Sequence, residues 1–169
     1  MVPENEYHPY YQSFIEPIAS SGKSIVEVLR EAQNKVNAAV SNLPEEKIDY
    51  RYAEGKWTIK QILQHLIDTE RVFNYRALRF SRNDKTELQG FDQDDFDSTA
   101  DANKRELQDL LYELYVLRIS TIAMYQSFSD EMLTRIGIAS ENPMSVRALG
   151  YLTAGHSDHH MRVFQERYL

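Results

Sequence analysis

A bundle of four long α-helices is the fold that this 169-residue chain predicts, on three observations. Residues 24–41, 58–81, 101–128 and 145–168 carry apolar side chains at the three-and-four spacing of a helix that faces a core. Proline, glycine or polar clusters separate these stretches. No period-two alternation persists, so the pattern predicts no strand. Long helices without repeats or low-complexity tracts bury their apolar faces by packing on one another, which makes the chain all-α.

The elements follow in order. Residues 4–18 are rich in tyrosine and proline, with His8-Pro9 and Glu16-Pro17 as breakers. They predict a short N-terminal helix or irregular arm laid across the body and anchored by Tyr10, Tyr11 and Phe14. Ser21-Gly22-Lys23-Ser24 has the ending of a phosphate-binding loop, but Pro17 stands where that pattern needs its leading glycine, and no strand precedes it. The first long helix, 24–41, carries Ile25, Val28, Leu29, Ala32, Val36, Ala39 and Val40, and Leu43-Pro44 ends it. A loop over 48–57 leads to Thr58, the predicted cap of the second helix, 58–81. Its stripe is Ile59, Ile62, Leu66, Phe73, Ala77 and Phe80, with His65 at the edge. Arg71, Arg76 and Arg79 on this helix, with Arg82 just after it, form a basic run that reads as a solvated helix face.

Residues 83–100 contain Gly90-Phe91-Asp92-Gln93-Asp94-Asp95-Phe96-Asp97, which lacks the glycine and glutamate positions of an EF-hand and predicts an exposed or site-covering loop. The third helix, 101–128, takes its core from Leu107, Leu110, Leu111, Leu114, Leu117, Ile119, Ile122 and Met124. After Pro143, Ser145 caps the fourth.

Length fits one domain, residues 1–169, with a core that needs no covalent staple. The absence of cysteine excludes disulfides, thiolate zinc sites and a cysteine nucleophile, and leaves histidine and carboxylate as metal ligands. It also fits a cytoplasmic address. No apolar run approaches the roughly 20 residues that span a bilayer, and residues 1–11 are polar and acidic, unlike a targeting peptide. A membrane partner is therefore not expected. With 19 basic against 26 acidic residues and a formal charge of −7, a nucleic-acid partner is not expected either.

Chemistry concentrates in the fourth helix. Three of the five histidines lie in Gly155-His156-Ser157-Asp158-His159-His160. His156 and His160 are one turn apart, a chelate spacing, on the face that carries Leu149, Leu152 and Val163. Buried imidazoles need a partner, and His65 on the second helix is the candidate third ligand. Bundles build such sites from inward side chains on different helices, and three neutral imidazoles hold zinc, nickel or a similar divalent metal with a coordination position left open. Asp68, one turn beyond His65, is the candidate catalytic carboxylate, as an imidazole acceptor or a base. Asp158 and Glu70 are weaker candidates, each with a plain reading as a surface ion-pairing residue. His159 is placed at the site mouth or beside the helix. No serine-hydrolase elbow, His-Glu-x-x-His pair or dinucleotide-binding glycine pattern occurs.

Arg51-Tyr52-Ala53-Glu54-Gly55-Lys56-Trp57-Thr58-Ile59-Lys60, His65-Leu66-Ile67-Asp68, Gly90-Phe91-Asp92-Gln93-Asp94 and Ala154-Gly155-His156 with His159-His160 together resemble the DinB-like superfamily, nearly end to end. The resemblance implies a four-helix bundle of up-down-down-up order and a divalent metal on three histidines, here His65, His156 and His160. It also implies frequent homodimers. Members with assigned activity include S-transferases that use bacillithiol, mycothiol or glutathione-like cosubstrates, and maleylpyruvate isomerases; others are named metal-dependent hydrolases, and most have no assigned reaction. The function expected is transfer of a low-molecular-weight thiol to a small electrophile. The alternatives are hydrolysis of a small substrate, or a non-enzymatic metal-binding bundle that acts through oligomerisation.

Overall fold

The structure, a computed structural model, describes residues 2–41 and 43–169. Its helices are α1 Gln12–Ala19, α2 Ile25–Ser41, α3 Ile59–Ser81, α4 Gln93–Thr99, α5 Leu107–Gln126, α6 Asp130–Leu133 and α7 Val146–Arg167. A hairpin of β1 Ile136–Ala139 and β2 Asn142–Ser145 precedes α7. The four long helices form the bundle, with α2 and α3 each packed against both α5 and α7.

Two apolar clusters fix the helix directions. One joins Ile25 and Leu29 at the start of α2 to Phe73 and Phe80 late in α3, Ile122 and Tyr125 late in α5, and Leu149 and Leu152 early in α7. The other joins Val36 and Val40 to Ile59 and Leu63, Leu110 and Leu114, and Phe164 and Tyr168. Thus α2 and α7 run one way and α3 and α5 the other, in up-down-down-up order. Neighbouring parallel helices need a return segment, and residues 82–106 supply it along the bundle.

Local chemistry sets the helix starts. Thr58 caps α3 in a reciprocal capping box: its hydroxyl accepts from Gln61 N, and the Gln61 side chain accepts from Thr58 N. Ser145 Oγ accepts from Ala148 N at the head of α7. In the middle of the bundle, the Arg118 guanidinium holds both oxygens of Glu70 and the carbonyl of Leu29, and Thr121 Oγ1 donates to Glu70 Oε1. That network ties α2, α3 and α5 together. Among the described residues no helix is long and apolar enough to cross a membrane.

Several expectations need correction. The 83–100 region contains α4, capped by Asp92 Oδ1, which accepts from Asp94 N and Asp95 N; acidic residues in a first turn suit the positive end of a helix. The third long helix starts at Leu107 rather than at 101, because Asp101 takes a left-handed conformation (φ 53°) and a 3₁₀ turn follows. Pro17 lies inside α1, at the loss of one backbone bond. Ile119 is exposed, not core. In the arm, Tyr11 and Phe14 pack on the core, but Tyr10 is 70% exposed and anchors little. The hairpin contradicts the expected absence of strands. Its two-residue turn has positive φ at both Ser140 (51°) and Glu141 (65°), the geometry usually marked by Asn-Gly, so its sequence carried no turn signal.

Candidate metal centre

His65 stands early in α3, while His156 and His160 flank the middle of α7 and lie one turn apart. Because those helices are antiparallel neighbours, the two groups come level. His156 Nε2 lies 3.0 Å from His65 Nε2 and 3.1 Å from His160 Nε2, and all three nitrogens fall within 4.8 Å of one another. The structure thus brings together the three imidazoles that the spacing singled out.

The donor set fits a divalent ion. Two nitrogens each about 2.1 Å from a shared ion span roughly 3–3.4 Å, which is the separation observed. Burial lowers the His65 pKa to about 4. Burial, then the neighbouring His65 and His159, takes His160 to about 3, and burial with the same kind of crowding holds His156 well below 6.5. All three rings are therefore neutral near pH 7. The single lone pair of a neutral imidazole cannot serve two donors well, yet His156 Nε2 meets both neighbours; a cation satisfies all three nitrogens at once.

Aromatic rings hold the imidazoles in place. The Trp57 ring lies 4.8 Å from that of His65 and stacks at 6.5 Å on that of His160. Tyr168 fixes this tryptophan by donating its hydroxyl to the Trp57 carbonyl at 2.5 Å. Phe14 on the arm stands edge-on to His156 and His159, at 5.9 and 5.2 Å.

The histidines form part of the wall of a cavity of about 440 Å³. Thr69, Phe73 and Arg76 continue the same face of α3 into it; Tyr11 and Phe14 close one side, and Phe91, Asp92, Gln93 and Ser140 the other. The 90–97 segment thus covers the site, as one of the two readings of it expected.

The other predicted residues divide. Asp68 lines a small hollow beside His65, where its Oδ1 accepts from Gln64 Nε2 at 2.9 Å; among the described residues no imidazole donates to it. Burial raises its pKa, against the hydrogen bond from Gln64 and the charge of Arg71. His159 reaches the cavity wall. Asp158 pairs with Lys35 and Arg162. Glu70 is not at the surface: it is 2% exposed and bound by Arg118. Arg76 is not on a solvated face either, being 5% exposed. It follows His65 by eleven positions, or three turns, and that spacing was the overlooked signal. Trp57 belongs to the stretch that carries the family resemblance, though not as a site residue, and Ser140 carries no signal of its own.

The DinB superfamily model matches residues 29–164. The chain belongs to the DinB superfamily. A protein of Geobacillus thermodenitrificans named "Putative metal-dependent hydrolase" is 27% identical over 145 residues, 84% of this chain and 81% of its own. "Putative metal-dependent hydrolase YfiT" of Bacillus subtilis is 26% identical over 141 residues, 80% of this chain and 78% of its own. The solved structure of YfiT, described as a probable metal-dependent hydrolase with an unusual four-helix bundle topology, superposes with a TM-score of 0.75 at 21% identity, over 84% of this chain and 82% of that one. The DinB-like protein YjoA of Bacillus subtilis superposes with a TM-score of 0.59 at 18% identity, over 85% and 88%. These structures show the DinB fold of this chain. The relatives are named metal-dependent, and the histidine triad can hold a metal.

Proposed function

We propose that the protein is a metal-dependent enzyme that acts on a small electrophile, with a divalent ion, zinc or nickel, on His65, His156 and His160. One observation carries the reading: three neutral imidazole nitrogens converge on the wall of a cavity large enough for a small organic molecule. Among the described residues no further histidine or carboxylate joins the group, which favours an open catalytic site over a closed structural one. An ion held there supplies Lewis acidity, drawing electron density from an oxygen or sulfur nucleophile and from the electrophile.

The residues themselves bind and orient. Trp57, Phe14 and Phe73 keep the imidazoles in one arrangement and narrow the access of water. Asp68, partly buried beside His65, is the base proposed for the nucleophile's proton. The names of the relatives favour hydrolysis. Thiol transfer is the second reading, because an all-nitrogen set holds a borderline-soft ion that accepts a low-molecular-weight thiolate as readily as an oxygen donor. A cytoplasmic setting, where such thiols stay reduced, suits a chain without cysteine.

Elemental analysis of the purified protein, followed by assays of esters, amides and thiol-plus-electrophile pairs with the metal removed and restored, tests the proposal. Turnover that follows metal content is expected. Full turnover after complete metal removal would refute it, and dependence on one thiol would select transfer over hydrolysis.

The partner proposed for the bundle is a second copy of this chain. Tyr112, Tyr115, Val116 and Ile119 form an exposed apolar stripe on α5, at the spacing of one helix face. Val116→Asp should turn a dimer into a monomer by sedimentation; a wild-type monomer at micromolar concentration would refute it.

A further inference from the structure

The site cavity also meets a charge that the protein leaves without a counter-ion. Arg76 is 5% exposed. Its Nη2 donates to the Gln89 carbonyl at 3.0 Å and to Ser140 Oγ at 2.9 Å. Nε and Nη1 have no protein acceptor among the described residues, and Arg76 is one of the residues that line the cavity. The contrast with Arg118 and Arg147 matters, since each of those is locked to both oxygens of a carboxylate, Glu70 and Glu6. Burying a guanidinium without an anion is costly, so a buried, unpaired one beside a cavity marks a place for an anion from outside. Asp92, the carboxylate in the same wall, is engaged by the first amides of α4.

Ser140 strengthens the case. It holds a left-handed backbone (φ 51°) that a residue with a β-carbon adopts at a cost, and this conformation is pinned by Ser140 N donating to Leu88 O and by Asn142 Nδ2 donating to Ser140 O. The close packing of Gly90 allows it: a β-carbon there would stand 3.2 Å from Ser140 Oγ. The hydroxyl oxygen accepts from Arg76, which leaves its own proton free to donate.

We propose that Arg76 and the Ser140 hydroxyl form the subsite for an anionic group of the substrate, a carboxylate or phosphate, whose reacting end lies at His65, His156 and His160. This rests on the enzymatic reading above and adds a substrate class to it. The α-carbons of His65 and Arg76 are roughly 16 Å apart along α3, and both side chains line the one cavity. Phe73, Phe91 and Leu152 line the space between. The substrate is therefore a short molecule with an apolar middle and an anionic tail.

Calorimetric titration of the metal-free protein with hexanoate, hexyl phosphate and hexanol tests the subsite directly. At least one anion should bind roughly tenfold or more tightly than the alcohol, and Arg76→Gln should erase that margin without changing the affinity for hexanol. Equal affinity for all three, or a margin that survives in Arg76→Gln, overturns the proposal. Should that variant not fold, Ser140→Ala decides: a severalfold loss for the anions alone supports the subsite, and an unchanged margin overturns it. Cobalt-loaded protein titrated with mercaptohexanoate and mercaptohexanol, and read by the visible spectrum of cobalt, separates the two readings. If cobalt does not bind, the metal site is refuted, while the metal-free titration still judges Arg76.

Discussion

Gly155 of α7 lies so close to the backbone of Phe14 that a β-carbon on it would stand 1.9 Å from the Phe14 carbonyl oxygen. This approach sets the height of α1 over α7, and with it the place of the Phe14 ring against His156 and His159. Gly155→Ala must push α1 away. We expect a loss of about 1–3 kcal/mol in urea unfolding, with faster hydrogen exchange in α1 than in α2. Unchanged stability would mean that α1 shifts at no cost.

His156 is the middle nitrogen of the three. Its replacement by alanine should weaken metal retention by more than the roughly 10–100-fold cost of losing an outer partner. The bundle should stay helical, because packing supplies most helix stability. Metal content after dialysis, read beside circular dichroism, checks both. Wild-type metal stoichiometry in the variant would show that the ion sits elsewhere.

Glu70 and Arg118 are 2% and 1% exposed. Glu70→Gln leaves a buried cation without its anion and should cost about 3–5 kcal/mol, whereas Glu70→Met with Arg118→Met should recover much of that. A double-mutant cycle in denaturant measures the coupling. With Glu70→Met and Arg118→Met as the single variants, a double variant that loses the sum of the two single losses would show that the pair carries no mutual stabilisation.

Glu6 joins the N-terminal arm to the head of α7 through Arg147. Burial alone would raise its pKa, but hydrogen bonds from Arg147 and Ser145 and the charge of Arg147 outweigh burial and hold it below 4.5. The folded carboxyl therefore keeps its charge to lower pH than the unfolded one. The contribution of the pair is full above pH 4.5 and is lost as the pH falls through the lower folded value. Glu6→Gln should cost about 1–2 kcal/mol at pH 7, with the two stability curves converging in acid. A constant gap across that range would assign the effect to shape rather than charge.

Much of this molecule is legible in the chain. The cores of α2 and α3 are buried as their periodicity requires, because an apolar stripe on a long helix leaves few ways to hide it. The caps Thr58 and Ser145 are local devices, readable within four residues. The hairpin was hidden, since Ser140-Glu141 takes a turn geometry that its residues do not favour and that distant contacts impose. Glu70 and Arg118 were hidden as a pair because they meet across 48 residues, and neither position by itself names its partner.

The sequence by itself determined where the long helices run and which imidazoles share a turn, since both depend on the 3.6-residue period of a single segment. Only the tertiary structure decided that His65 meets His156 across 91 residues, and that Arg76 is buried against Ser140, 64 residues away. Those meetings depend on α3 and α7 being antiparallel neighbours and on the hairpin being pinned at Leu88. Such contacts are stabilised by packing over the whole bundle, and no local stretch of the chain encodes them.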